Sequence, residues 1–328
     1  MFKILKNHIF NAGNKHFYRE INNAVKEHWN CGTDRATLIK LALFCADSVY
    51  LWNTISPEIW LIFISCLVEE KKTDEAKIML KRLIGFNGIQ KCPVELYLLC
   101  SSFANSIGIT SPSIEKSAYY YDEFYKKEKL DTFKKYLKGK SIAVVGGSPC
   151  EIGKNKGQEI DSHDIIIRFN NYPQEEKYHC DYGKKTNIWV RQSSKDTVNK
   201  KDLSIYDYVI WADDFTSFNI KSKEILDVIG DYFEKYNDKL LTIEKDYYNK
   251  LRKESNILRP TSGAIIFYYL KEILGDLKDV DAYGFAFLSN DINDNKHFFD
   301  KLCKISKIHD FFQETPFLHD FYYSNKEI

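Results

Sequence analysis

The residues best suited to chemistry are a glycine turn, an asparagine, a helix start and a few histidines. Ile142-Ala143-Val144-Val145 reads as a buried strand running into Gly146, Gly147 and Ser148. Glycines let backbone amides approach an anion closely, and the Ser148 hydroxyl adds a donor, so this turn suits a phosphate. It lacks GxGxxG spacing, and no Gly-Lys-Ser/Thr follows, which removes the main support for a dinucleotide site or a P-loop. Standing alone, it reads more readily as an ordinary tight turn. Asn170 closes a second apolar run, and its amide both donates and accepts, which suits a ribose hydroxyl or a phosphate oxygen. Thr261, Ser262 and Gly263 precede an apolar helical pattern, where amides and the helix dipole favour an anion. Asp213-Asp214 and the acidic run from Asp291 to Asp294 would suit a nucleotide-bound cation. Both are read as loop acids, with a minor acceptor-facing role of Asp213 and Asp214 left open.

The elements that must position these residues fall into two regimes. Over the first 110 or so residues the pattern is wholly helical. Ser56-Pro57 gives an N-cap with proline at the first position. Ile59, Trp60, Phe63, Ile64 and Leu67 follow at helical spacing, and Thr73 caps a second helix striped by Ala76, Met79, Leu80, Leu83 and Ile84. A tetratricopeptide-type pair fits Trp60, Leu67, Ala76, Leu80 and Leu83, and a plain antiparallel bundle with a pair around Ala36–Val49 fits equally. The loop Ile107–Ser113 marks the boundary, giving domains 1–112 and 113–328. One Lys/Tyr-rich helix is expected from Glu115 to about Lys138.

From Lys140 short apolar runs alternate with helices. Strands are expected at Ile142–Val145, Ile165–Phe169, Asn187–Val190, Tyr208–Trp211 and Val280–Tyr283, and helices at Lys221–Tyr236, Ser262–Leu274 and Asp300–Lys307. That order implies an α/β domain, Rossmann-like, with a mostly parallel sheet covered on both faces. In such folds ligands gather at the carboxyl ends of strands.

Composition narrows the class. The chain has 328 residues, enough for two domains at roughly 100–200 residues each. Its 47 Lys+Arg balance 46 Asp+Glu, which argues against a dedicated nucleic-acid binder. Eight cysteines are scattered without CxxC or a Cys/His cluster, so they read as buried free thiols rather than metal ligands. The N-terminus shows no apolar signal core, and the stretch Ile59–Val68 is too short to span a bilayer. A cytoplasmic place is expected, with a peripheral position at the inner membrane left open.

The segment after the glycine turn alters the reading. Gly157-Gln-Glu-Ile-Asp161-Ser-His163-Asp164 leads through Ile165–Ile167 to Arg168-Phe-Asn170-Asn-Tyr-Pro173, then Asp181-Tyr-Gly183-Lys-Lys-Thr186. This resembles the large donor-binding motif of the eukaryotic sialyltransferase family, in order and in spacing. Pro260-Thr261-Ser262-Gly263, with Val280-Asp-Ala-Tyr-Gly284-Phe285 beyond, is similar to the family's small motif. His297-Phe-Phe-Asp300 looks like its third motif, and His309-Asp-Phe-Phe-Gln-Glu314 its final His-x4-Glu.

The resemblance implies a sialyltransferase-type variant of the GT-A fold and an inverting transfer from CMP-sialic acid to a glycan hydroxyl. It implies His309 as general base, His297 stabilising the leaving phosphate, and Glu314 as a structural or orienting partner. Gly146, Gly147, Ser148, Asn170, Thr261, Ser262 and Gly263 would hold the CMP-sugar, His163 would be structural, and no metal would be needed.

Two departures stand out. Many family members carry Asn where this chain has Gly147, and there it helps to hold the nucleotide. The family's disulfide positions correspond here to Ile142 and Leu277, both apolar. A CMP-Kdo-dependent Kdo transferase of bacterial surface polysaccharide synthesis would share most of these motifs and is the alternative. A degenerate transferase domain carried by a helical interaction module is a more distant one. The helical first third is compatible with holding an acceptor, a partner protein or a membrane surface.

Overall fold

A computed structural model describes Ile21, Val25 and residues 35–47, 49–191, 202–212, 222–257, 260–289 and 311–326. These residues form two compact units, one within Met1–Asp122 and one within Glu123–Asp214 and Lys221–Ile328.

The first unit is helical among its described residues. It contains α1 (Arg35–Ala46), the one-turn helix Val49–Trp52, α2 (Pro57–Glu69), α3 (Thr73–Asn87) and α4 (Leu98–Ser106). Every residue from Ile59 to Leu67 of α2 is buried, so this helix is apolar all round and sits at the centre of the unit. Trp60 stacks on Trp52 at 3.9 Å. On α3 the stripe Ala76, Met79, Leu80 and Leu83 is buried, with Ile84 at its margin. Neither helix start uses a side-chain cap, so Ser56 contributes extended backbone before Pro57 rather than a hydrogen bond. The single helix expected from Glu115 to Lys138 is in fact two, α5 (Pro112–Phe124) and α6 (Lys127–Leu137), because Lys126 is extended.

The second unit is built on a fully parallel sheet of β1 (Ile142–Val145), β2 (Ile165–Phe169), β3 (Ile188–Arg191), β4 (Tyr208–Trp211), β5 (Leu240–Thr242) and β6 (Val280–Tyr283). The order is β5-β4-β3-β2-β1-β6. Strand β3 starts one residue later than expected because Asn187 serves the strand ends instead. Its Oδ1 accepts from the Ile166 amide at 3.0 Å, and its Nδ2 donates to Asp207 at 2.9 Å.

Both faces are covered, which explains continuous apolar runs without alternation. Ile142 and Val144 join a cluster with residues of α6, α8 (Lys245–Ser255), α9 (Ser262–Leu274) and α10 (Phe311–Lys326). Ala143, Val145 and Ile166 face the other way, toward Ile160, Tyr182 and Tyr283. Ile142 and Leu277 are both fully buried in the first cluster. Helix α7 (Lys223–Tyr236) begins at the cap Ser222, whose hydroxyl accepts from the Ile225 amide.

Cys45, Cys66, Cys92 and Cys100 are buried free thiols, whereas Cys150 is half-buried and Cys180 exposed, contrary to a uniform burial expectation. Among the described residues no helix is long and apolar enough to cross a membrane. The expected helix Asp300–Lys307 lies outside the described residues.

Candidate functional site

Strand β1 has β2 on one side and β6 on the other, so the strand order reverses there. Ligands of open α/β sheets bind at the carboxyl ends of the strands flanking such a switch point. Gly146 follows β1 and Gly284 follows β6, and they extend the pairing into the crevice. The Gly146 amide donates to the Tyr283 carbonyl at 2.7 Å, and the Ser148 amide to the Gly284 carbonyl at 2.9 Å. A Cβ at Gly146 would lie 2.3 Å from the Gly284 carbonyl oxygen, and one at Gly284 2.8 Å from that of Gly146. Gly284 also has φ +67°, in the left-handed region. Gly147 differs: among the described residues, nothing beyond its chain neighbours lies within 4 Å of where its Cβ would stand, and its amide has no partner.

One aromatic ring gathers the separate segments. Phe285 lies 3.0 Å from the Cβ position of Gly146 and 2.8 Å from that of Gly263. Its ring also meets Phe169, the residue before Asn170, at 5.9 Å between centroids. The turn after β1, the end of β2 and the start of α9 therefore converge around Phe285. Sequence reasoning placed Phe285 inside a motif but gave the ring no part. The signal present in the sequence was its position directly after the last strand and its glycine.

Asn170 has φ +43°, and its backbone is fully engaged. Its amide donates to the Val190 carbonyl at 2.8 Å, while its own carbonyl accepts from the Trp189 indole at 2.9 Å. The left-handed turn thus stops β2 at its carboxyl end. Asparagine tolerates this conformation better than most residues.

The start of α9 is not a plain row of amides. Thr261 is the cap, its hydroxyl accepting from the Ala264 amide at 3.1 Å. Its backbone amide donates to Glu314 Oε2 at 2.8 Å, and Glu314 is only 2 % exposed. In the structure a carboxylate of the protein takes the Thr261 amide. Glu314 ties α10 to the segment that opens α9. Ser262 and Gly263 remain as the first helical residues.

Beneath the crevice, Arg168 holds the turn that follows Tyr182. Its Nη2 donates to the Tyr182 carbonyl at 2.6 Å and its Nε to that of Lys185 at 2.9 Å. Burial pushes this guanidinium down to about 10, with Asp161 nearby pulling upward, so it stays charged at neutral pH. Asp161 holds the same turn by accepting from the Lys184 and Lys185 amides at 3.0 Å.

His163 is a cross-brace. Its Nδ1 faces the Glu159 carbonyl at 3.1 Å, and its Nε2 lies 2.9 Å from Asp281 Oδ2 on β6. Lys326 donates to Asp281 Oδ1 at 2.6 Å. Burial raises the Asp281 carboxyl, but the Lys326 and His163 bonds outweigh it and hold the group below its ordinary 3.8.

His297, His309, Asp213, Asp214 and the run Asp291–Asp294 lie outside the described residues. Among the described residues no group of three or more His, Cys, Asp or Glu forms a candidate metal site.

A family model described as glycosyltransferase family 29 (sialyltransferase) matches residues 91–326. No curated protein matches the sequence. Among solved structures, a mammalian sialyltransferase is 17 % identical, with a TM-score of 0.41, over 65 % of this chain and 83 % of its own. The same values of identity, TM-score and share of this chain hold for a mammalian sialyltransferase in complex with Gal-beta-1-3GalNAc-ortho-nitrophenol, of which 84 % is covered. The family match runs from before the first strand to the last residues of α10, enclosing the whole sheet, the switch-point crevice and Glu314, and the chain belongs to glycosyltransferase family 29, the sialyltransferases.

Proposed function

We propose that the chain moves sialic acid from CMP-sialic acid to a hydroxyl of a glycan acceptor, with inversion at the anomeric carbon. The observation that supports this reading is the convergence of the Gly146–Ser148 turn, the end of β2 at Phe169 and the Ser262–Gly263 helix start around Phe285 at the strand-order switch. An open glycine amide and a helix N-terminus suit the donor's single phosphate and its sugar carboxylate. His309 takes the proton of the acceptor hydroxyl as that oxygen attacks the anomeric carbon. The bond to the phosphate oxygen breaks in line, and CMP leaves with the electron pair. His297 donates to the departing phosphate. One phosphate carries little charge to neutralise, so the transfer is proposed to run without a metal.

The test is release of free CMP from CMP-Neu5Ac and from CMP-Kdo, each with and without a glycan acceptor. Acceptor-dependent release from CMP-Neu5Ac is expected. Release from CMP-Kdo alone would replace the donor sugar and keep the chemistry. His309→Ala should abolish transfer while CMP still binds, and full transfer by that variant would exclude His309 as the base.

A further inference from the structure

The loop that follows the glycine turn is held by two side chains that the motifs do not explain. Tyr182 is fully buried, and its hydroxyl sits against the loop backbone rather than in solvent. It donates to the Ser148 carbonyl at 2.5 Å and accepts from the Glu151 amide at 3.3 Å. Glu151 is 4 % exposed, and its Oε1 accepts from the Gly284 amide at 3.2 Å, while Oε2 lies 3.5 Å from the Lys154 ammonium. The one-turn helix Pro149–Glu151 is therefore fastened at one end to the turn below β2 and at the other to the end of β6.

These ties flank the open amide. Gly146 and Ser148 spend their amides on β6, and Tyr182 takes the Ser148 carbonyl, which leaves Gly147 between fixed neighbours. Tyr182 is itself anchored, since its carbonyl accepts from Arg168 and its ring lies 3.3 Å from the Cβ position of Gly284. A core tyrosine needs only its ring for packing. Here the hydroxyl satisfies a carbonyl and an amide of the one loop where the donor phosphate is proposed to bind, groups that would otherwise be buried without partners.

We infer that Tyr182 and Glu151 are positioning residues for donor binding: they hold residues 146–151 so that the Gly147 amide points at the phosphate of the CMP-sugar. This rests on the donor class proposed above. Neither residue touches the reacting atoms, so the effect belongs in donor affinity rather than in the chemical step.

The experiment uses the full chain, CMP binding by calorimetry, and initial rates against CMP-Neu5Ac. Tyr182→Phe keeps the ring and deletes the hydroxyl. It is expected to raise both the Kd for CMP and the donor KM about ten-fold, with kcat changed by less than about two-fold. Glu151→Ala should act in the same direction, and Glu151→Gln, which retains an acceptor for the Gly284 amide, should recover part of the loss. A purely structural role would lower thermal stability and leave Kd and KM of the folded fraction at wild-type values, and that result would overturn the inference. So would loss of kcat at unchanged KM. If Tyr182→Phe does not fold, the Glu151 pair decides by the same criteria. If the wild-type chain itself fails to bind CMP, the donor class is wrong and the inference falls with it.

Discussion

Two stretches of backbone meet Phe285, and they dispose of their amides differently. At the Gly146–Ser148 turn, the outer amides pair with β6 and the middle one has no partner among the described residues. At the Thr261–Gly263 helix start, the first amide is taken by the buried Glu314 carboxylate and the next cap bond by the Thr261 hydroxyl. Both stretches are anion sites by type. One is left open, and the other is partly filled by the protein, which brings a negative charge to the helix end and spares a ligand that place. The two stretches therefore differ: one keeps an amide without a partner among the described residues, and the other anchors α10.

The largest effect should come from closing the open side. Gly146→Ala places a methyl 2.3 Å from a backbone oxygen that cannot give way. It should cost about 3 kcal/mol or more in urea unfolding and abolish CMP binding, because β1 and β6 would have to part. Near-normal stability would show that the two strand ends are not locked together as described.

Emptying the filled side should cost less. Glu314→Ala leaves the half-buried Thr261 amide without this partner, for about 1 kcal/mol of stability. Glu314→Gln keeps an acceptor there and should recover most of it. Equal losses from both would mean that the charge matters more than the hydrogen bond.

Gly147→Asn should be nearly neutral in stability, within about 0.5 kcal/mol, since among the described residues nothing beyond its chain neighbours lies near its Cβ position. It restores the residue that many family members carry there and should tighten CMP binding in the same calorimetric assay. Weaker binding would show that the missing side chain is part of how this crevice receives its ligand.

The smallest effect concerns acid. Asp281 has a folded value below its ordinary 3.8, so its contribution is present above that pH and lost as pH falls through the lowered value. Asp281→Asn should therefore lower Tm slightly at neutral pH, by little because the group is partly exposed, and flatten its fall below about pH 4.

How much of this was legible in the sequence depended on whether apolar periodicity or side-chain direction decided the matter. Four strands stand where their apolar runs placed them. Strand β5 went unnoticed because Leu240–Thr242 is three residues long and follows a polar turn directly. Helix α8 was missed because only Tyr248 and Leu251 of its eleven residues are buried, too few to show a period. The break between α5 and α6 carries neither glycine nor proline. At the site, the motifs located the backbone turns, since glycine and cap residues report backbone shape. They were silent on Phe285, Arg168, Tyr182 and Glu151, whose parts depend on where side chains point after distant segments have packed.

The pairing of β1 with β6 has a consequence for the order in which the molecule assembles. The register of Val145 with Tyr283 joins the first strand of the sheet to its last, across four intervening strands of sequence. Such long-range pairing is slow, because loop closure must precede any reward from contact. While the chain is being made, β1 is an apolar edge strand with one side unpaired, the kind of surface that invites wrong association. A chain stopped before Val280 would thus lose the crevice and expose this edge. Catalytic competence and protection from aggregation would both arrive late in synthesis, with the same strand.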